Sequence, residues 1–195
     1  MEPAEPGQPL TVLAVCTGNI CRSPAVERLL AHALGPDAGA RVASAGVRAV
    51  VGWAISDPMA DLLTDAGVQC EGFAARQLTA EMVHDAALVL ALTRAHRGPV
   101  VELVPSAVRR TFTLREFARF AAAVGADALP EGSPAERLTA LIPLAAAQRG
   151  RVPVDHRDDD VLDPYGGDDQ LYALSFGQMR PAVDTISEML RGRPW

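Results

Sequence analysis

The chain has 195 residues, a net charge of −6 and 49% hydrophobic residues, a size and composition that fit one domain with a sizeable core. All 18 basic residues are arginine, which excludes a Walker A loop, a lysine Schiff base and a pyridoxal anchor. The acidic balance, with no basic block and no apolar run long enough for a membrane helix, argues against nucleic acid as a partner and against membrane insertion.

In chain order, residues 1–10 read as a flexible leader, since Met1 to Pro9 carries two Glu, three Pro and no basic residue. Thr11 to Val15 is a short apolar run and predicts a buried strand. It runs into the polar string CTGNICRSP, Cys16 to Pro24, after which Val26, Leu29, Leu30, Ala33 and Leu34 recur at helical spacing up to Gly35-Pro36. Ser23 reads as the cap of that helix, with Pro24 as its first residue. Arg41 to Ser44 predicts a second strand. Pro58 opens a helix with Met59, Leu62, Leu63 and Ala66 on one face, closed by Gly67. Ala87 to Leu92 is too continuously apolar to be half-exposed and predicts a buried strand.

Arg94 to Leu103 reads as a helix broken at Gly98-Pro99. Arg110 to Thr113 predicts a fourth strand, and Leu114, Phe117, Ala118, Ala121 and Val124 another helical face. Gly125 to Pro134 is loop-like; Leu138, Leu141, Ile142 and Ala145 continue as helix despite Pro143. Arg151 to Asp169 is a long loop rich in Asp, Gly and Pro, of the kind that carries function. A last helix spans about Gln170 to Leu190, with a bend expected at Pro181. Alternating strands and helices predict a single α/β domain with a four-stranded parallel sheet and helices on both faces, flavodoxin-like or Rossmann-like. Its site belongs at the carboxyl ends of the strands, at the topological switch point.

The chemistry concentrates in Cys16 to Ser23. A glycine-containing loop between a strand and a helix N-terminus turns successive amides inward, so Thr17, Gly18, Asn19, Ile20, Cys21 and Arg22 form a phosphate-binding cradle. Cys16 sits at its base, where the helix dipole and Arg22 favour thiolate over thiol. Only arginine grips a pair of phosphate oxygens in bidentate fashion. A thiolate, a ring of amides and a guanidinium around one anion site suit nucleophilic phosphoryl transfer through a cysteinyl-phosphate. No cofactor or metal is implied. Cys16 and Cys21 lack a nearby His, and His156 beside the acidic run has no ligand spacing. Cys70 reads as a small buried hydrophobe. Cys21 has two readings, a reversible disulfide partner of Cys16 or a packing residue. Three cysteines, odd and sparse, suit a reducing cytoplasm.

CTGNICRSP resembles the signature of the low-molecular-weight protein tyrosine phosphatases over nine consecutive residues. ASAG (Ala43 to Gly46) resembles that family's second strand and turn, ARQLT (Ala75 to Thr79) its segment before the third helix, and DPYGG (Asp163 to Gly167) its acid loop. The resemblance implies a phosphatase domain over residues 11–191. Cys16 would be its nucleophile, Arg22 its phosphate clamp, and Asp163 its general acid and then general base. It further implies Asn19 and Ser44 as braces of the loop, Ser23 as a donor to the sulfur, and Tyr165 and Val50 as pocket wall. The residues alone leave the acid open, because Asp155, Asp158, Asp159 and Asp160 crowd the same loop; D-P-Y favours Asp163.

Members of the family are typically shorter, and the surplus lies at roughly 114–157. Val50 and Val51 stand where many members carry an aromatic residue, with Trp53 slightly later, and Gly166 where some carry a second tyrosine. The implied function is hydrolysis of phosphotyrosine proteins in bacterial signalling. Arsenate reduction with an external thiol is one alternative, since only Cys70 lies outside the loop. Protein arginine phosphatase is another, although that branch tends to have threonine at the position of Ile20. A phosphate-sensing adaptor with a degenerate site is the non-enzymatic alternative.

Overall fold

A computed structural model describes residues 9–152 and 156–192 of the chain; residues 1–8 of the expected leader and Asp155 of the acidic run lie outside these. Four strands form one parallel sheet in the order β2-β1-β3-β4: β1 (Leu10–Cys16), β2 (Ala40–Gly46), β3 (Ala86–Ala91) and β4 (Thr111–Thr113). The helices are α1 (Arg22–Leu34), α2 (Asp57–Asp65), α3 (Ala80–Asp85), α4 (Arg94–Leu103), α5 (Leu114–Val124), α6 (Pro134–Ala146) and α7 (Asp169–Arg191). The sheet is doubly wound, and β1 and β3 are buried along almost their whole length, as the unbroken apolar runs require.

Two apolar clusters divide the core between the faces of the sheet, as alternation of side chains along a strand dictates. Val12, Ala14, Leu88 and Leu90 face α1, α2, α5, α6 and α7 through Leu30, Met59, Phe117, Leu138 and Ile186. Leu13, Val15 and Val89 face α3 and α4 through Val83 and Val100. Phe112 of β4 meets the Phe117 and Phe120 rings with centroids 5.2 and 6.3 Å away, closing the far side of the larger cluster.

Two local expectations are corrected. Ser23 does not cap α1; the helix starts two residues earlier than expected, at Arg22, its N-cap is Cys21, and no side chain caps it. The Ser23 hydroxyl is used instead inside the loop that precedes the helix. Gly98-Pro99 does not break α4, which runs continuously from Arg94 to Leu103. Proline there removes only the bond to the carbonyl of exposed Ala95, while buried His96 and Val100 anchor the opposite side. Helices α5 and α6 both begin with a reciprocal capping box, Thr113 with Glu116 and Ser133 with Glu136, which accounts for their sharp starts after loops. The loop before α7 contains a single 3₁₀ turn at His156–Asp159. No described helix is long and apolar enough to cross a membrane.

Candidate active site

β1 ends at Cys16 in the middle of the sheet, beside Gly46 of β2. The chain between β1 and α1 folds back over that end. Asn19 sits in the left-handed region (φ 57°), a conformation asparagine tolerates better than most residues, and this reverses the loop. Uncapped, the first turn of α1 leaves its amides for a ligand. Gly46 is required by close approach. A Cβ there would collide with the carbonyl oxygen of Thr17 and press on Ala49.

Asn19 is fully buried and not among the residues lining the pocket; its side chain works behind the loop. Its Nδ2 donates to the hydroxyls of Ser23 (2.9 Å) and Ser44 (2.8 Å), and its Oδ1 accepts from the backbone N of Arg76 (2.7 Å). Ser44 in turn donates to Glu27 (2.6 Å), which also pairs with Arg76 (3.2 Å). Because Asn19 supplies the proton to Ser23, the serine's own O–H is left for the Cys16 sulfur at 3.0 Å or the Ala45 carbonyl at 3.4 Å.

Arg22 is 4% exposed. Its guanidinium donates to the Val161 carbonyl (3.2 Å) and pairs with Asp163 at 2.6 Å, while its Nε has no partner. A cleft of about 180 Å³ opens at this point, lined by Cys16, Arg22, Arg48, Val50, Asp163 and Tyr165 together with the loop residues Thr17, Gly18, Ile20 and Cys21. Backbone bonds from Val161 to Leu92 and from Arg94 to the Asp160 carboxylate hold the acid loop against the ends of β3 and α4. Tyr165 donates its backbone N–H to Asp163 Oδ1 (3.3 Å), an Asx turn that aims the carboxyl back at the cleft.

The neighbouring carboxylates are otherwise engaged. Asp159 is buried and bonded to Arg119 (2.6 Å), Asp160 accepts from the Arg94 backbone (2.6 Å), and Asp158 lines a separate groove. Cys16, Cys21 and Cys70 are all free thiols. Burial pushes the Cys21 thiol up, partly offset by hydrogen bonds with Ser56 (3.2 Å) and Tyr172 (3.7 Å). Cys70 is half-buried, not fully so as expected, and bonds weakly to carbonyls near α2, away from the cleft. Among the described residues no cluster of His, Cys, Asp and Glu is arranged to hold a metal ion.

Reading along the chain misses His96, which lies on α4 and has no motif around it. Its Nε2 meets the Thr17 hydroxyl and its Nδ1 the Thr93 hydroxyl, both at 2.9 Å. Burial first, and then the Arg22 guanidinium, push its pKa down to about 4, so the ring is neutral where the loop needs no second cation. The unfolded chain therefore binds the extra proton as pH falls from about 6.5 to about 4, and the fold loses stability across that window and keeps it above. With solvent screening, this group accounts for on the order of 1–2 kcal/mol. Thermal melts at about pH 7 and about pH 5 should show a smaller acid-induced drop for His96→Gln than for the wild type. Equal drops would assign the acid sensitivity elsewhere.

Residues 11–129 match the family described as low molecular weight phosphotyrosine protein phosphatase. A protein of Escherichia coli K12 named low molecular weight protein-tyrosine-phosphatase Etp is 43% identical over 101 residues, a stretch covering 52% of this chain and 66% of Etp's own length. A protein-arginine-phosphatase of Geobacillus stearothermophilus is 30% identical over 183 residues, 94% of this chain and 97% of that one. The solved structure of the YwlE arginine phosphatase from the same organism superposes with a TM-score of 0.68 at 28% identity, covering 94% of each chain.

Proposed function

The chain belongs to the low molecular weight phosphotyrosine protein phosphatase family, and from that premise we propose that it hydrolyses phosphotyrosine in proteins through a cysteinyl-phosphate on Cys16. The observation that carries this is the meeting, in one cleft, of the Cys16 sulfur, the Arg22 guanidinium and the Asp163 carboxyl. In the first step the Cys16 thiolate attacks phosphorus, the S–P bond forms and the bond to the phenolic oxygen breaks. Asp163 gives that oxygen its proton. In the second step a water attacks phosphorus, Asp163 takes its proton, and the S–P bond breaks with Ser23 donating to the departing sulfur. Arg22 and the loop amides hold the three equatorial oxygens through both steps.

In the free protein Asp163 occupies the guanidinium that the phosphate needs. An incoming dianion displaces the carboxylate from Arg22. The displaced carboxyl then faces the leaving oxygen within the same cleft, the position a general acid requires. Substrate binding thus prepares the acid. The Cys16 thiol requires a reducing compartment, which supports a cytoplasmic setting.

An arginine-phosphatase reading is favoured by the long alignment to the Geobacillus stearothermophilus protein. Against it, the wall of the cleft is built from Ile20, Val50 and Tyr165. Such a wall offers an aryl ring apolar surface and offers the N–H donors of a phosphoguanidine no acceptor apart from the Asp163 carboxyl, and each donor left unmet costs about 1–3 kcal/mol. Arsenate reduction with Cys70 as the resolving cysteine is disfavoured, because Cys70 does not line the cleft, which leaves the route through an external thiol as the arsenate alternative. The three reacting groups are all present, unlike in a degenerate adaptor.

The test is phosphate release, with EDTA present, from para-nitrophenyl phosphate and from matched phosphotyrosine and phosphoarginine peptides. We expect turnover of the first two unaffected by EDTA, and phosphoarginine slower by about 10-fold or more. Faster turnover of phosphoarginine would make the protein an arginine phosphatase, and loss of all activity in EDTA would refute metal-free chemistry.

A further inference from the structure

We propose that Arg48 selects its substrates, favouring phosphotyrosine peptides that carry carboxylate side chains next to the phosphorylated residue. The inference rests on the phosphatase reading and adds the substrate class. The loop after β2 lies along the phosphate loop residue by residue. Val47 N donates to Cys16 O (2.9 Å), Arg48 N to Thr17 O (3.0 Å) and Val50 N to Gly18 O (3.0 Å). From the other side Gln77 receives the Ala49 N–H (3.0 Å) and donates to the Val47 carbonyl (3.1 Å). The Arg48 backbone is therefore held in a constant relation to the nucleophile.

Of the two cations lining the cleft, Arg22 is buried at its base and engaged, whereas Arg48 is exposed at its rim. The Arg48 guanidinium makes no hydrogen bond or ion pair with the described residues. Elsewhere on the chain Arg76, Arg97, Arg119 and Arg180 each pair with a carboxylate. An unpaired cation at the mouth of a site on a chain of net charge −6 is a local reversal of sign. Arg22 and the loop amides already serve the one phosphate, so the anion that Arg48 meets belongs to another part of the substrate.

The surroundings suit a polypeptide better than a small ester. Val51, Trp53 and Tyr165 are 65%, 62% and 68% exposed, and they stand on the two loops that also supply Val50 to the cleft wall and Asp163 to its chemistry. Large apolar side chains left open around a cleft mark a surface that a partner covers. An extended peptide with an acidic residue beside its phosphotyrosine would lay apolar surface on this rim and its carboxylate on Arg48.

The experiment compares kcat/KM for three phosphotyrosine peptides, identical except for two Glu, two Gln or two Lys flanking the phosphorylated residue on each side. For the wild type we expect Glu over Lys by about 3–10-fold, the scale of partly exposed charge pairs, shrinking in high salt. In Arg48→Gln the ratio should flatten, and in Arg48→Glu it should reverse. Equal turnover of the three peptides by the wild type, or an unchanged ratio in the variants, would overturn the role of Arg48. A uniform fall for all peptides would do the same, since it would show that Arg48 acts on the phosphate and not on its neighbours. Para-nitrophenyl phosphate separates the two levels: if it is not hydrolysed the phosphatase reading fails, and if it is hydrolysed while the peptides do not differ, only the selection fails.

Discussion

Cys16→Ser should bring turnover of para-nitrophenyl phosphate down by roughly 10⁵-fold or more, the scale on which removal of a covalent nucleophile acts. The two side chains have nearly the same shape, so the cradle survives: the Asn19 bonds to Ser23 and Ser44 do not involve the sulfur, and neither does the Arg22 contact to Val161. What is lost is the thiolate, since a serine hydroxyl has no base beside it. The described atom facing Cys16 Sγ is the hydroxyl of Ser23, itself a donor to a thiolate and no acceptor of an alcohol proton at neutral pH. Binding of inorganic phosphate, measured by calorimetry, should therefore persist while kcat disappears. A serine variant with more than about one per cent of wild-type kcat would refute the cysteinyl-phosphate.

Asp163→Asn should lower kcat for phosphotyrosine by about 10²–10⁴-fold, the contribution of a positioned general acid. Asparagine keeps the shape and can still accept from Tyr165 N, so the acid loop retains its turn. It also removes the ion pair with Arg22 at 2.6 Å, which leaves the guanidinium open to phosphate. Binding should accordingly hold or tighten while turnover falls, a split that a merely misfolded loop would not give. The loss should be far smaller for an aryl phosphate whose phenol is strongly acidic, because a good leaving oxygen does not need the proton. Equal losses for good and poor leaving groups would mean that Asp163 is not the acid.

The Asp163 case shows where the sequence reaches its limit. Four other aspartates stand within the eight residues before it on the same loop, and composition alone cannot rank them. The tertiary structure separates those it describes by their neighbours: Asp159 is committed to Arg119, Asp160 to the Arg94 amide, and Asp158 to another groove. Asp163 alone of these meets Arg22 in the cleft. Arg48, Arg76 and His96 carry no local signal, because each reaches the phosphate loop from an element distant in the chain, and Glu27 on α1 is tied to that loop only through Ser44 and Arg76. Conversely Ser23 is a good N-cap by local rules, and it loses that role because the buried loop has a stronger use for its hydroxyl.

By itself the sequence determined the four strands, every α-helix but the short α3, and the strand–loop–helix around Cys16. These follow from short-range patterns: apolar runs bury strands, spacing of three and four makes helices, and the polar, glycine-containing string from Cys16 to Pro24 between an apolar run and a helical period reads as a loop. It also excluded lysine chemistry, since none of the 18 cations is a lysine. Only the tertiary structure decided which carboxylate faces Arg22, that His96 supports Thr17, and that Arg48 stands at the rim without a partner among the described residues. Those contacts join residues tens of positions apart, and burial and charge select among candidates only once packing has brought them together.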